Sequence, residues 1–210
     1  RMKIEGAVLS ARAYREAMRG FAGMGNLDVW YARLDVDELM NRFRKSASRD
    51  EIKRCLGNVA KAQTKDSLKA FAKLTEVVDG EPRITSDPPI IVPIEEIVPA
   101  ADLDRLDYLF HGVIRSYRRS LTGDRRRLLE RYRYVHAARK VVGVGSVGTR
   151  AWILLMLGRD ESDPLFLQFK EAEASVLEPF LGKSSYNNHG QRVVEGQRLM
   201  QSASDIMLGW

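Results

Sequence analysis

At about Val135 the hydrophobic pattern of this 210-residue chain changes period. Up to that point apolar residues recur every three to four positions. Beyond it they fall into strand-length runs separated by turn residues. The run from Ala151 to Leu157 is the decisive one. It is apolar throughout, has no polar face for a helix to turn toward solvent, and is bounded by Gly158. So short and so apolar a segment reads as a strand. Val141-Val142 before it and Leu165 to Phe169 after it read the same way. The linking turns are Gly143-Val144-Gly145-Ser146-Val147-Gly148 and the polar stretch 158–164. Strand, glycine loop, strand, polar turn and strand make a small antiparallel sheet. A connector over residues 182–190 then leads into a last helical pattern running to Trp210.

The first part of the chain is helical. Ala13, Ala17 and Phe21 lie at four-residue spacing with Tyr14 and Met18 beside them, and Gly20, Gly23 and Gly25 end that helix. Val29-Trp30-Tyr31 reads as a short extended segment. Asp35 or Asp37 caps a second helix through Met40 and Phe43. Ser48-x-x-Glu51 is a capping box for a third, carrying Ile52, Leu56, Val59 and Ala60. The pattern continues through Leu68, Phe71, Ala72 and Leu74 to about Val78. Prolines over 82–99 break it, and Ile90 to Ile94, interrupted by Pro93, is at best an edge strand or extended connector. Asp102 or Asp104 caps a helix that buries Leu106, Leu109, Phe110, Val113 and Ile114. Thr122-Gly123-Asp124 ends it, and a short helix follows with Leu128, Leu129 and Tyr132. The fold class is therefore α+β. Residues 1–134 form a mostly helical part with a Pro-rich connector near 82–99, and residues 135–210 a glycine-loop sheet with a helix. Both are parts of one larger domain.

Composition narrows the setting. With 44% hydrophobic and 30% charged residues the chain has the profile of a soluble globular protein. No apolar run approaches the roughly 18–20 residues of a membrane span. Cys55 is the single cysteine, which excludes an internal disulfide or a thiolate zinc site and favours a reducing, cytoplasmic compartment. Arg1 precedes Met2, and the last helical pattern stops at an aromatic residue, so both ends read as cuts. The net charge of +6 is concentrated in Arg115, Arg118, Arg119, Arg125, Arg126, Arg127, Arg131, Arg133, Arg139 and Lys140. A solvated helix face is the plainer account of that stretch; a surface for nucleic acid or phosphate is the other.

Gly143-x-Gly145-x-x-Gly148 is the strongest site-like string. Glycines at this spacing let backbone N–H groups converge on an anion without interference from Cβ atoms. A dinucleotide-binding unit needs a helix after the third glycine, and here a strand follows. No Gly-Lys-Ser/Thr follows either, so the lysine-loop NTPase arrangement is excluded. The protein-kinase arrangement fits better: a glycine loop joins two antiparallel strands, a third strand brings a lysine to the phosphates, and a helix brings a glutamate to the lysine. Alternation along residues 165–170 puts Leu165, Leu167 and Phe169 on one face and Phe166, Gln168 and Lys170 on the other. Lys170 is the natural phosphate contact, and of Glu171, Glu173, Glu178 and Glu195 the last, on the final helix with Val194, Leu199, Ala203 and Ile206 forming a buried face, is the preferred partner; a helix-surface pair with Arg192 or Arg198 is the plainer account of Glu195. The phosphate-site set is thus Gly143, Gly145, Ser146, Gly148, Lys170 and Glu195. His111, His136 and His189 join no carboxylate and nucleophile in a catalytic set, and no metal-ligand spacing occurs. Asp205 reads as a cap or an ion-pair residue.

Three strings carry a resemblance: residues 139–150 around the glycine loop, residues 163–172 around Lys170, and residues 190–201 around Glu195. With a looser match at Tyr117-Arg118-Arg119-Ser120-Leu121, the chain resembles the bacterial family catalogued as domain of unknown function 2252. The resemblance implies a distantly kinase-like protein of about twice this length, for which ATP with Mg²⁺, or another nucleotide or phosphate ligand, is the expected partner. It also implies catalytic and metal-binding strings, Asp-x-His-x-x-Asn and Asp-Phe-Asp, located before Arg1, and more helical sequence after Trp210. Neither string occurs in this chain, so no catalytic or metal residue is assigned to it. His136 stands where the family pattern leads one to expect an aspartate. A non-enzymatic basic module that binds nucleic acid or another anionic partner is the alternative reading, and a purely structural one, with the glycines serving a tight hairpin, is the third.

Overall fold

In the computed structural model, the described residues are all except 1, 34, 45–46, 64–66, 142, 144–147 and 202. Five helices come first: α1 (Met2–Ala22), α2 (Asn26–Tyr31), α3 (Val36–Arg44), α4 (Arg49–Gln63) and α5 (Ser67–Leu74). A hairpin of β1 (Thr75–Val78) and β2 (Glu81–Ile84) follows, then β3 (Ile91–Pro93) and two 3₁₀ turns at Ile94–Glu96 and Ala100–Asp102. Helices α6 (Leu103–Ser120) and α7 (Gly123–Leu129) lead into β4 (Arg133–Lys140), β5 (Ala151–Leu157) and β6 (Pro164–Lys170). Two helices close the chain, α8 (Glu178–Leu181) and α9 (His189–Met200). The mixed α+β class expected from the sequence is what is found. Among the described residues no helix is long and apolar enough to cross a membrane.

The centre is a four-stranded antiparallel sheet in the order β3-β4-β5-β6. On one face Ile114 and Tyr117 of α6 and Leu121 just after it pack with Leu129, Ala137, Leu154, Met156 and Leu167. On the other face Ile84, Ile91, Ala138, Ile153, Leu155 and Leu157 form a second core, closed by Phe71 and Leu74 of α5. Strand β5 is therefore covered on both sides. This explains why its sequence is apolar throughout instead of alternating. β3 holds the sheet edge, as Pro93 requires, since proline cannot donate to a ladder.

Several local expectations are corrected. Val29 to Tyr31 are not extended but helical, within α2: Gly25 precedes that helix in extended conformation and its carbonyl accepts from the Val29 N–H at 3.1 Å. The helical pattern ends at Leu74 rather than Val78, and Thr75–Val78 pairs antiparallel with Glu81–Ile84. Asp79 and Gly80 both have positive φ, 53° and 81°, the geometry of a two-residue hairpin turn; the Asp-Gly pair before Pro82 was the missed signal. The first strand of the glycine-loop hairpin is Arg133–Lys140, ahead of Val141. Its buried Ala137 and Ala138 carry too little hydrophobicity to reveal it. The last helix stops at Met200, and Leu199 (66% exposed) and Ile206 (49% exposed) form no buried face with Val194. On α6, Leu109 and Val113 face solvent. The capping box is as expected: Glu51 accepts from the Ser48 N–H at 2.8 Å, and Ser48 Oγ accepts from the Glu51 N–H at 3.3 Å.

The segment after α9 returns to α6. The Tyr117 hydroxyl donates to the Met207 carbonyl, and the Trp210 N–H donates to Ser120 Oγ at 2.8 Å. Burial first, then the nearby Asp205 carboxylate, pushes the Tyr117 phenol up to about 12. Asp205 itself accepts from the Met207 N–H at 2.7 Å, so it orders the turn outside the helix expected for it. Gly209 lies so close to α6 that a Cβ there would sit 2.5 Å from Ser120 Oγ and 2.8 Å from the Tyr117 ring. Gly209→Ala is expected to lower unfolding stability by about 1–3 kcal/mol, the usual range for forcing extra volume into a packed contact. Gly112, in the α6 interior, is the opposite case, because a Cβ there would meet nothing within 4 Å. Gly112→Ala should raise stability by about 0.5–1 kcal/mol through helix entropy. Urea denaturation of the two variants measures both.

Candidate functional site

The glycine loop connects β4 to β5 at the end of the sheet where β6 terminates. Ala151 of β5 lies opposite Lys170 of β6, and Trp152 opposite Phe169. The alternation expected along β6 holds. Leu165, Leu167 and Phe169 join the core under α6, and Phe166 joins the core on the opposite face. Lys170 shares the Phe166 parity, is exposed, and has no ion-pair partner among the described residues. Gly143 and Gly148 take φ values of 68° and 86°. Side chains rarely adopt that left-handed region, so glycine is required at both positions for a conformational reason. Gly145 and Ser146 lie outside the described residues.

Beside the loop Arg150, Trp152, Phe169, Lys170 and Glu171 line a shallow concavity of about 300 Å³. Arg150 and Glu171 are the residues that sequence reasoning missed as a unit. The Glu171 N–H donates to the Arg150 carbonyl at 3.0 Å, extending the strand ladder by one step. The Arg150 guanidinium grips the Glu171 carboxylate with two nitrogens, Nε at 3.0 Å and Nη2 on the other oxygen. Charges flanking two paired strands by one residue each were the available signal. Hydrogen bonding from Arg150, opposed by slight burial and helped by its charge, holds the Glu171 carboxyl below the usual glutamate range.

Glu195 is on α9, whose N-terminus is capped by Asn188 Oδ1 accepting from the Gln191 N–H at 3.0 Å. Its carboxylate accepts from Arg198 Nη1 at 3.0 Å. Arg198 also donates to the Leu208 carbonyl at 2.9 Å and lies 5.4 Å above the Trp210 ring. Arg192 Nη2 donates to the Glu173 carbonyl at 2.6 Å, which ties α9 to the chain leaving β6. The structure thus groups Gly143, Gly148 and Lys170 around one sheet end and places Glu195 in the ion cluster of the following helix.

A second polar group sits inside the fold. His136, placed by the sequence before the first strand, is a buried residue within β4 at a register irregularity. Its Nδ1 accepts the Ile84 N–H at 2.9 Å, and its Nε2 faces both Glu95 oxygens at 2.9 and 3.0 Å. Arg83 reaches the same carboxylate at 3.3 Å. Burial acts to raise the Glu95 carboxyl, but its backbone hydrogen bond, His136 and Arg83 outweigh that and lower it. The arrangement joins the β1–β2 hairpin, the first 3₁₀ turn and β4. Among the described residues no group of three or more histidine, cysteine, aspartate or glutamate side chains could hold a metal ion.

Residues 4–210 match the family described as "Uncharacterized protein conserved in bacteria (DUF2252)". The chain belongs to this family. No curated protein and no solved structure matches it.

In this DUF2252 chain the two polar groups have separate consequences. His136→Ala removes the acceptor of the buried Ile84 N–H and is expected to cost about 1–3 kcal/mol of stability. Denaturant unfolding checks this. At the loop end, the lowered Glu171 carboxyl means that the pair with Arg150 is present at neutral pH and is lost as pH falls through the folded-state value. Arg150→Ala should move the Glu171 carboxyl titration upward toward the ordinary glutamate value. Carbon-detected NMR of the side-chain carboxyl reads that shift directly.

Proposed function

We propose that the glycine-loop end of the sheet binds the phosphates of a nucleotide, ATP with Mg²⁺, and that this chain is the nucleotide-binding portion of a kinase-like protein. The observation that carries the reading is the pairing of two left-handed glycines, Gly143 and Gly148, with an exposed lysine at the end of the third strand. Glycines in that conformation let a turn present backbone N–H groups to an anion. Lys170, with no carboxylate of the described residues engaged, supplies the charge that a phosphate needs. In this reading Gly145 and Ser146 complete the cradle, and Glu195, which would leave Arg198, orients the lysine. The concavity beside Trp152 and Phe169 offers apolar contact for the rest of the ligand. Mg²⁺ would arrive on the ATP phosphates. Phosphoryl transfer also needs a group that positions the acceptor, and this chain supplies no candidate, so alone it binds without catalysing. An ATP-dependent role sets the protein in the cytoplasm.

Nucleic-acid binding along residues 115–140 has weaker support. Arg126 is occupied, donating to the carbonyls of Arg118, Arg119 and Leu121 at 3.0–3.3 Å, and Arg133 and Arg139 stand toward opposite ends of β4.

Calorimetric titration of ATP–Mg²⁺ into this chain and into a longer family member tests the proposal, each with and without Lys170→Ala or its equivalent. Binding that the substitution weakens by about 1–3 kcal/mol, the size of a lost charge-assisted contact, is the expected result. No binding to either protein overturns the nucleotide reading and leaves the glycines as a hairpin device.

A further inference from the structure

A different cavity lies at the other end of β4. That strand runs from Arg133 to Lys140, and at about 3.3 Å per residue its ends are roughly 20 Å apart. The cavity, about 220 Å³, is bounded by the C-terminal half of α6 and by the first residues of β4. Arg115 and Arg118 enter it from α6, Arg133 from β4, and His111, Tyr132 and Tyr134 complete the polar wall. Its floor is the buried pair Ile114 and Met156. Among the described residues no carboxylate lines it.

The charges around it are unbalanced. Among the described residues Arg118 Nε is buried without a hydrogen-bond partner, a costly state for a charged donor. Arg115 has no ion-pair partner among the described residues. Arg133 meets Glu81 at 3.3 Å, but both side chains are more than half exposed, so solvent screens that pair. The nearby acids are otherwise engaged: Asp107 with His111 at 3.4 Å, and Asp163 with the Tyr132 hydroxyl at 2.9 Å. The C-terminus of α6 would oppose an anion through its partial negative charge. Arg126 offsets that end by donating to three of its last carbonyls, and the same bonds fix the backbone that carries Arg118. Among the described residues Arg115 and the Arg118 Nε thus have no internal acceptor, and Arg133 has only the solvent-screened Glu81.

We propose that this cavity is an anion site for a phosphate monoester group, held by Arg115, Arg118 and Arg133 and separate from the glycine-loop end. Guanidinium forks match the oxygens of a phosphate, and two negative charges suit three converging arginines better than one does. The volume falls below the roughly 300–1,000 Å³ of pockets for drug-sized ligands, which points to free phosphate or a small phosphorylated compound.

The test titrates inorganic phosphate and glycerol phosphate into the protein at fixed ionic strength, with calorimetry and amide NMR. Saturable binding is expected, with shifts at Tyr132 to Tyr134 and Met156. Arg118→Gln should weaken it roughly ten- to hundredfold, as for a lost charge-assisted bond. Arg115→Gln, at an exposed position where folding is not at stake, should weaken it in the same direction. Arg127→Gln removes the same charge outside the cavity and should leave it unchanged. Equal affinity for the two ligands assigns the site to free phosphate, and tighter binding of the ester assigns it to a phosphorylated compound. Absence of saturable binding, shifts confined to Gly148 to Ala151, or an equal loss with Arg127→Gln would each overturn the proposal. Shifts confined to Gly148 to Ala151 would do so while favouring the glycine-loop reading. Preference for a single-stranded oligonucleotide over both phosphates, with sensitivity to Arg127, would replace it with nucleic-acid binding.

Discussion

The burial of β5 on both faces is the constraint on which the rest of the structure depends. Leu154, Leu155, Met156 and Leu157 are all at most 2% exposed. Each such side chain contributes about 1.5–3 kcal/mol by leaving water. A strand of this kind needs a layer on each side, and two different parts of the chain supply them. α6 covers one face, with Phe110 packed edge-on against Trp152 and Tyr117 against Phe169. The β1–β2 hairpin and α5 cover the other. Once these layers are seated, the strand neighbours β4 and β6 are fixed in register, and so is the lysine at the end of β6.

Polar contacts then decide how the pieces join. His136 connects the hairpin to the sheet by accepting from Ile84, and Glu95, itself held by Arg83, faces its other ring nitrogen. Such a buried network specifies one docking geometry for the hairpin, because sliding it would leave a buried N–H without an acceptor. Arg126 plays a comparable part at the end of α6. At the C-terminal side Gly209 permits close approach to Tyr117 and Ser120, so the segment after α9 lies against α6. The basic stretch is thereby broken up. Sequence neighbours such as Arg118 and Arg126 have different tasks, one turned toward a cavity and one bonded to backbone carbonyls.

Much of the secondary structure was legible. The strands at residues 151–157 and 164–170 were readable because their apolar runs are short and bounded by glycine and proline. The capping box was readable, and the proline-bearing segment at 90–94 was narrowed to an edge strand or a connector, because their chemistry is local. β4 was not, since two alanines and a histidine at its centre gain their meaning only from what covers them. The Asp79-Gly80 turn was a local signal that the preceding helical periodicity masked. For the candidate site, the side-chain parity of β6 was readable from alternation alone. The Arg150–Glu171 clamp was not, because it needs the register that sets Ala151 opposite Lys170.

By itself the sequence determined the α+β class, the family, the glycine-bearing link between two strands and the position of Lys170 at a strand end. Those features rest on local backbone preference, hydrophobic period and direct sequence similarity. Only the tertiary structure decided which charges stay unpaired and which become internal bonds, because a guanidinium finds its acceptor through space. It placed His136 inside the core, gave Glu195 to Arg198, and set Arg115, Arg118 and Arg133 around one cavity at the far end of the sheet from the glycine loop. Period and propensity are properties of neighbouring residues, whereas electrostatic partners are properties of packing.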